Sequence, residues 1–160
     1  MNIERITARY KNKVVENKIF DPIRNKYVKL TPEEAVRQKI IKFLMKRLQV
    51  PQNKILVERA LGTLGLPVAE DKKKLRIDIG ILDEEGLLMA VVECKASLLS
   101  NTEAAFEQAQ NYLLNLNTRY YFVTDGSTFD GYYFDTNQFV KLEEIPIYTN
   151  WYYYPVAKDE

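Results

Sequence analysis

The sequence predicts an α/β sandwich, a central mixed β-sheet flanked by helices. Three observations predict it. A helix-spaced apolar stripe begins at a capping signal near Thr31, short strand-like segments follow, and a second helical stripe separates them from another buried strand. With 160 residues and no repeat or low-complexity linker, the chain reads as a single domain, 1–160. It opens with a polar, extended N-terminal segment over about 1–19 and closes with an aromatic tail over about 149–160.

In order along the chain, Val14-Val15 and Ile19-Phe20 suggest short extended pieces before Asp21-Pro22, and Tyr27 to Leu30 returns as a small hairpin. Thr31-Pro32-Glu33-Glu34 starts a helix: Thr31 caps, Pro32 suits the first helical position, and Glu34 completes a capping box. Val36, Ile40, Phe43, Leu44 and Leu48 then recur at helical spacing until Pro51. Lys54 to Ala60 reads as a strand. Leu75 to Asp83 alternates, with Leu75, Ile77, Ile79 and Ile81 on one face. Asp83-Glu84-Glu85-Gly86 makes a hairpin turn into Leu87–Val92, a run apolar on both faces and so expected to be covered on both sides. Residues 101–117 read as a second helix with Phe106, Ala109, Leu113 and Leu116 as its stripe. Tyr120 to Thr124, Thr128 to Phe134 and Phe139 to Leu142 supply the remaining strands.

Composition excludes whole chemistries. There is no histidine, so Ser-His-Asp triads, Cys-His pairs and His-ligated zinc hydrolases drop out. The single cysteine, Cys94, rules out an internal disulfide and fits a reducing compartment. No segment is apolar enough to span a membrane, and Met1 to Arg5 lacks a signal-peptide core, so a cytoplasmic protein is expected. Net charge is +1 but lopsided: residues 1–54 carry 14 Lys or Arg against 5 Asp or Glu, the remainder 9 against 17. A basic front half, with Lys39, Lys42 and Lys46 on the first helix, suits phosphate contact, although solvated charge explains it equally well.

The chemistry concentrates at Asp78 and Glu93-Cys94-Lys95. Along a strand Glu93 and Lys95 share a face while Cys94 points away. If Asp83 pairs with Gly86, Asp78 falls opposite Val91, and Asp78 and Glu93 become diagonal neighbours on one face, roughly 7–8 Å apart. A one-residue slip would break that parity. Two carboxylates so placed suit Mg²⁺, with Mn²⁺ as substitute and the Cys94 carbonyl as a further ligand. Lys95 can hold the attacking water or neutralise developing charge. The competing reading is an internal ion pair, yet three charged groups on otherwise buried strands are costly without a function.

These residues carry a resemblance. Phe20-Asp21-Pro22-Ile23-Arg24, Lys26-Tyr27-Val28, Leu30-Thr31-Pro32-Glu33-Glu34-Ala35-Val36-Arg37-Gln38, Asp78, Glu93-Cys94-Lys95 and Gln108-Ala109-Gln110-Asn111-Tyr112 together resemble the N-terminal nuclease domain of type I restriction enzyme R subunits. That domain belongs to the PD-(D/E)xK superfamily, and the likeness is to a short stand-alone bacterial form, from about Phe20 to about Tyr148. It implies a restriction-endonuclease-like sandwich and a Mg²⁺-dependent endonuclease acting on DNA. The partners it implies are DNA and a motor protein or other restriction-system subunits; a homodimer is admissible. Ile77 stands where the motif has proline, and the chain has no room for the helicase-like motor domains.

The resemblance also implies a first-helix glutamate beside the metal. Glu33 suits that role because it faces inward with the apolar stripe, whereas Glu34 is explained by the capping box. Gln108 and Tyr112 match the family's Q-x-x-x-Y element as DNA-binding or accessory residues, although a half-buried helix border explains them as well; Arg76, on the Asp78 face, and Arg37 are further DNA-binding or accessory candidates. Lys72-Lys73-Lys74 suits phosphate or simply water. Trp151-Tyr152-Tyr153-Tyr154-Pro155 is expected to pack on the sheet rather than bind a partner or unpaired bases.

Overall fold

A computed structural model describes residues 1–97, 116 and 118–154. Its elements are α1 (Glu4–Thr7), β1 (Val14–Val15), β2 (Lys18–Asp21), β3 (Lys26–Lys29), α2 (Pro32–Lys46), β4 (Ile55–Ala60), β5 (Arg76–Leu82), β6 (Leu88–Cys94), β7 (Tyr120–Thr124), β8 (Phe129–Asp135) and β9 (Gln138–Lys141). The first three strands form a small antiparallel sheet. The other six form a central sheet in chain order, antiparallel except for the parallel β6–β7 pair. This is the mixed α/β architecture that the patterning predicts. The expected second helix, with Gln108 and Tyr112, lies outside the described residues apart from Leu116.

Helix α2 forms where its signals place it. Thr31 is extended and its Oγ1 accepts the Glu34 N–H at 3.1 Å, with Pro32 opening the first turn. Its stripe of Val36, Ile40, Phe43 and Leu44 is buried against Val57, Ile79, Ile81, Ala90, Val92 and Phe122 on one face of the sheet. Phe43, fully buried beside Phe129, illustrates the strength of that packing: truncation to Ala would cost about 3–5 kcal/mol. The opposite face carries Ile77, Val91, Tyr121, Val123 and Tyr132. β6 is thus covered on both sides, as its unbroken apolar run demands.

Three expectations need correction. The opening segment is not simply extended. It contains α1, and Ile3 is fully buried with its N–H on the Ser127 carbonyl at 2.7 Å, while Thr7 Oγ1 donates to the Gly126 carbonyl at 3.0 Å. One large apolar side chain and one satisfied hydroxyl are enough to dock a polar segment.

The second correction concerns register. The turn closes between Asp83 and Leu87, not Gly86: Asp83 N–H donates to the Leu87 carbonyl at 2.8 Å, and the Asp83 carboxylate accepts the Glu85 and Leu87 N–H groups. Gly86 supplies the left-handed φ of 86° that this turn requires. Leu82 then pairs with Leu88, a register that alone would carry Asp78 to Val92 and reverse its parity with Glu93. A bulge between Ile81 and Leu82 intervenes, because Ile81 pairs with Ala90 and Met89 is the extra residue. Beyond it Gly80 faces Val91 and Ile79 faces Val92, so the next step sets Asp78 directly across from Glu93 rather than from Val91.

Third, Leu75, Ile77, Ile79 and Ile81 do not share a face. Ile79 and Ile81 pack toward α2, Ile77 packs with Val91 on the other side, and Leu75 is exposed. The alternation breaks at Asp78. At the other end of the chain Trp151 is buried among Tyr120, Phe122 and Tyr148, its Nε1 donating to the Pro146 carbonyl at 2.8 Å, so packing is what the described part of the aromatic segment does. Tyr153 remains exposed.

Candidate functional site

The break at Asp78 has a visible partner on β4. Val57 pairs with Ile79 and Arg59 with Ile77, but Glu58 between them adopts φ 53°, a left-handed conformation costly for a residue with a side chain. Asp78 thereby turns into the gap where β5 and β6 part. Lys95 N–H, one residue on, points to β7 and donates to the Thr124 carbonyl at 2.9 Å, so the Cys94 N–H faces β5. There it finds the Asp78 carboxylate instead of a backbone oxygen, with Oδ2 accepting it at 2.9 Å. Oδ1 accepts from Arg37 Nη2 at 2.7 Å.

Arg37 comes from the buried side of α2 and is only 5% exposed. Its Nη2 also meets Glu58 Oε1 at 2.6 Å, and its Nη1 donates to Glu34 Oε2. Glu34 Oε1 in turn accepts from Arg24 Nη2 at 2.6 Å and from Gln38 Nε2 at 2.9 Å, and Arg24 Nε donates to the fully buried Asp21 at 2.5 Å. A chain of alternating charge therefore runs from the small sheet to Asp78. Burial opposes the charge on Arg37, but the hydrogen bond to Asp78 and the nearby Glu34, Asp78 and Glu58 overcome it, so its pKa lies above the usual value.

Glu93 and Lys95 form the other half. Lys95 Nζ lies 2.9 Å from Glu93 Oε1, the two side chains being 40% and 21% exposed. Burial raises the pKa of Glu93; Lys95 works against this, while the charges of Asp78 and Glu33 add to it. Lys95 is held above its usual value first by its hydrogen bond to Glu93, and Asp78 and Glu33 also contribute. The four residues expected to act together thus feel one another's charge at one end of the sheet. The Cys94 thiol packs into the core facing α2, and burial lifts its pKa well above normal, which leaves only its backbone to serve the site.

Among the expected site residues, Asp78, Glu93 and Lys95 come together; Glu33 does not face inward as its spacing suggests but is exposed at the start of α2, its charge still reaching Glu93, and Glu34 is the buried acid of that turn. Glu34 does not close a capping box: its side chain turns inward to Arg24, Arg37 and Gln38, where it satisfies the buried Arg37 Nη1. Arg37 is buried with both Nη atoms engaged by Glu34, Glu58 and Asp78, so it is held within the protein rather than presented to DNA. Arg76 is largely exposed and donates to the Glu58 carbonyl at 2.7 Å. The sequence reading missed Glu58, although a lone acid inside the apolar strand Ile55-Leu56-Val57 was a signal for it.

The donor set suits a hard divalent ion. Two carboxylates and the Cys94 carbonyl offer only oxygen, which matches Mg²⁺ keeping several waters. Among the described residues no three acidic, Cys or His side chains form a ready-made cage, so water and a phosphate would complete the shell.

Comparison with known proteins places the chain in a family. The chain is similar, at 15% identity and TM-score 0.46, to the structure titled "Characterization and crystal structure of the type IIG restriction endonuclease BpuSI". The match covers 71% of this chain and 12% of that one, so this chain spans a small part of that protein's length. No curated protein gives a significant match. The family described as "Type I restriction enzyme R protein N terminus (HSDR_N)" matches residues 32–146, which include α2, all six strands of the central sheet and every site residue named above from Glu33 to Lys95. On that match over well more than half its length, the chain belongs to the type I restriction enzyme R protein N-terminal family.

Proposed function

We propose that this chain is a Mg²⁺-dependent endonuclease module that hydrolyses DNA phosphodiester bonds, with Mn²⁺ able to substitute. Membership of a restriction-enzyme family supports the restriction-type nuclease role. The observation that carries the finer reading is the pairing of two acids at one strand end, Asp78 held in the gap by Arg37 and Cys94 N–H and Glu93 raised in pKa beside it. Asp78, Glu93 and the Cys94 carbonyl would hold the ion. When bound, it supplies positive charge to the phosphate and lowers the pKa of a coordinated water. Lys95, kept cationic by Glu93, is placed to neutralise charge developing on phosphate oxygens or to orient the attacking water. Glu33 is the acid of α2 whose charge acts on both Glu93 and Lys95, and it would complete the site from that helix.

DNA reaches the site through phosphate contacts of the basic front half, Lys39 among them, and of exposed Arg76 on β5. Lys42 is poorly suited, because its Nζ donates to the Lys11 carbonyl and burial lowers its pKa. Lys46 sits over the Tyr10 ring at 5.5 Å. Partners in this reading are DNA and, for cleavage in the cell, other restriction-system subunits or a motor protein. Among the described residues no helix is long and apolar enough to cross a membrane.

A second reading is a DNA-binding or interaction subunit that does not cut alone. It is favoured by the occupation of both acids by Arg37 and Lys95. Incubation with supercoiled plasmid and Mg²⁺ or Mn²⁺ separates the two. The nuclease reading expects nicking that Asp78→Asn reduces by at least about a hundredfold, and Lys95→Ala comparably. Retarded but uncut plasmid with wild type and both variants would favour the second reading.

A further inference from the structure

Asp78 is placed by a device that the catalytic motif does not include. Arg37 Nη2 is shared between Asp78 Oδ1 at 2.7 Å and Glu58 Oε1 at 2.6 Å, so one guanidinium nitrogen holds two carboxylates side by side. Its Nη1 is fixed from behind by Glu34, which Arg24, Gln38 and buried Asp21 clamp in turn. The fork cannot swing without breaking that chain.

Two features show what this arrangement costs. Arg37 Nε is buried and has no hydrogen-bond partner among the described residues, a penalty that a solvated arginine would not incur. Glu58 keeps a left-handed φ of 53° between two paired strand residues, and strain of this kind persists where the surroundings over-determine it, commonly at functional sites. Apolar replacements of a buried ion pair are often neutral or stabilising, so stability alone does not account for retaining one with an orphaned donor.

We propose that Arg37 is a positioning residue for Asp78, and that Glu58 acts on the site through Arg37 rather than as a ligand. This rests on the reading of Asp78 and Glu93 as divalent-ion ligands. Arg37 fixes Oδ1 and Cys94 N–H fixes Oδ2, which leaves each oxygen a further lone pair for an ion shared with Glu93. A fork is needed because a lysine is a point charge that cannot span Glu34 and Asp78 together. Glu58 pins the shared nitrogen from the other side.

The test is Mn²⁺ affinity of the full chain, read from the electron paramagnetic resonance signal of free ion, with folding checked by circular dichroism. The variants conserve charge, so a through-space effect stays constant. Arg37→Lys is expected to bind Mn²⁺ about tenfold or more weakly, the usual cost of losing an outer-shell partner. Glu58→Asp, whose shorter arm cannot reach Nη2, should weaken binding in the same sense. The double variant should be no worse than Arg37→Lys within about twofold, because the second change acts through a contact already lost. Wild-type affinity in both single variants overturns the proposal, and so does a double variant in which the two losses multiply. If Arg37→Lys does not fold, Glu58→Asp decides alone, and unchanged affinity there overturns it. Failure of the wild type itself to bind Mn²⁺, with Asp78→Asn no different, would instead strike the metal reading on which this one stands.

Discussion

The two acids across the gap are held in opposite ways. Asp78 has both oxygens engaged, by a buried guanidinium and a backbone N–H, and its supports run through Glu34 and Arg24 to a fully buried Asp21. Among the described residues Glu93 has one partner, Lys95, whose side chain is 40% exposed. A buried charge cannot lose its partner cheaply, whereas a partly solvated pair exchanges its partner for water at little cost. On the proposed function the difference would separate two tasks: Asp78 would give the site a fixed origin, and the Glu93–Lys95 pair would open to admit a cation and a phosphate.

Stability measurements can break that comparison most forcefully. Arg37→Met removes the buried cation that Asp78 shares with Glu34 and Glu58, and urea denaturation should show a loss of about 3–5 kcal/mol. Lys95→Met should change stability by less than about 1 kcal/mol. Similar losses for the two variants would mean that the site does not divide into a rigid and an adjustable half.

A smaller effect should appear with pH. Because the folded-state pKa of Glu93 is raised, the folded chain holds a proton there more tightly than the unfolded chain does. Its contribution to stability is present in full below the ordinary glutamate value of 4.5 and is lost as pH rises through the folded value. Ion-free wild type should therefore lose stability over that interval, and Glu93→Gln should flatten the slope. An unchanged slope in Glu93→Gln would assign the titration to another group.

Much of this was legible in the sequence. Thr31-Pro32 and its apolar stripe placed α2, the strand segments fell within a residue or two of their positions, and Glu93-Cys94-Lys95 behind an unbroken apolar run marked the candidate site. The register was not legible. The patterning gave the parity between Asp78 and Glu93, but the turn is one residue longer than the Asp83–Gly86 signal suggested, and only the bulge at Met89 restores that parity. Nothing local in Met89 announces a bulge, because it depends on how two strands meet. The strain at Glu58 is equally silent, since a left-handed glutamate is held by Arg37 and Arg76 from distant elements. The role of Arg37 was not legible either: it is a DNA-binding or accessory candidate in the sequence, whereas the fold buries it on the inner side of α2 among three carboxylates.

The central claim is that Asp78 and Glu93 jointly hold one divalent ion. Anomalous diffraction from crystals grown with Mn²⁺ tests it most directly. The account predicts a single peak in the gap between β5 and β6, about 2.0–2.3 Å from an oxygen of each carboxylate, with Lys95 displaced from Glu93 and Arg37 still on Asp78. No peak at that position, at Mn²⁺ concentrations that saturate any binding seen in solution, or a peak bound by Glu93 without Asp78, would contradict it.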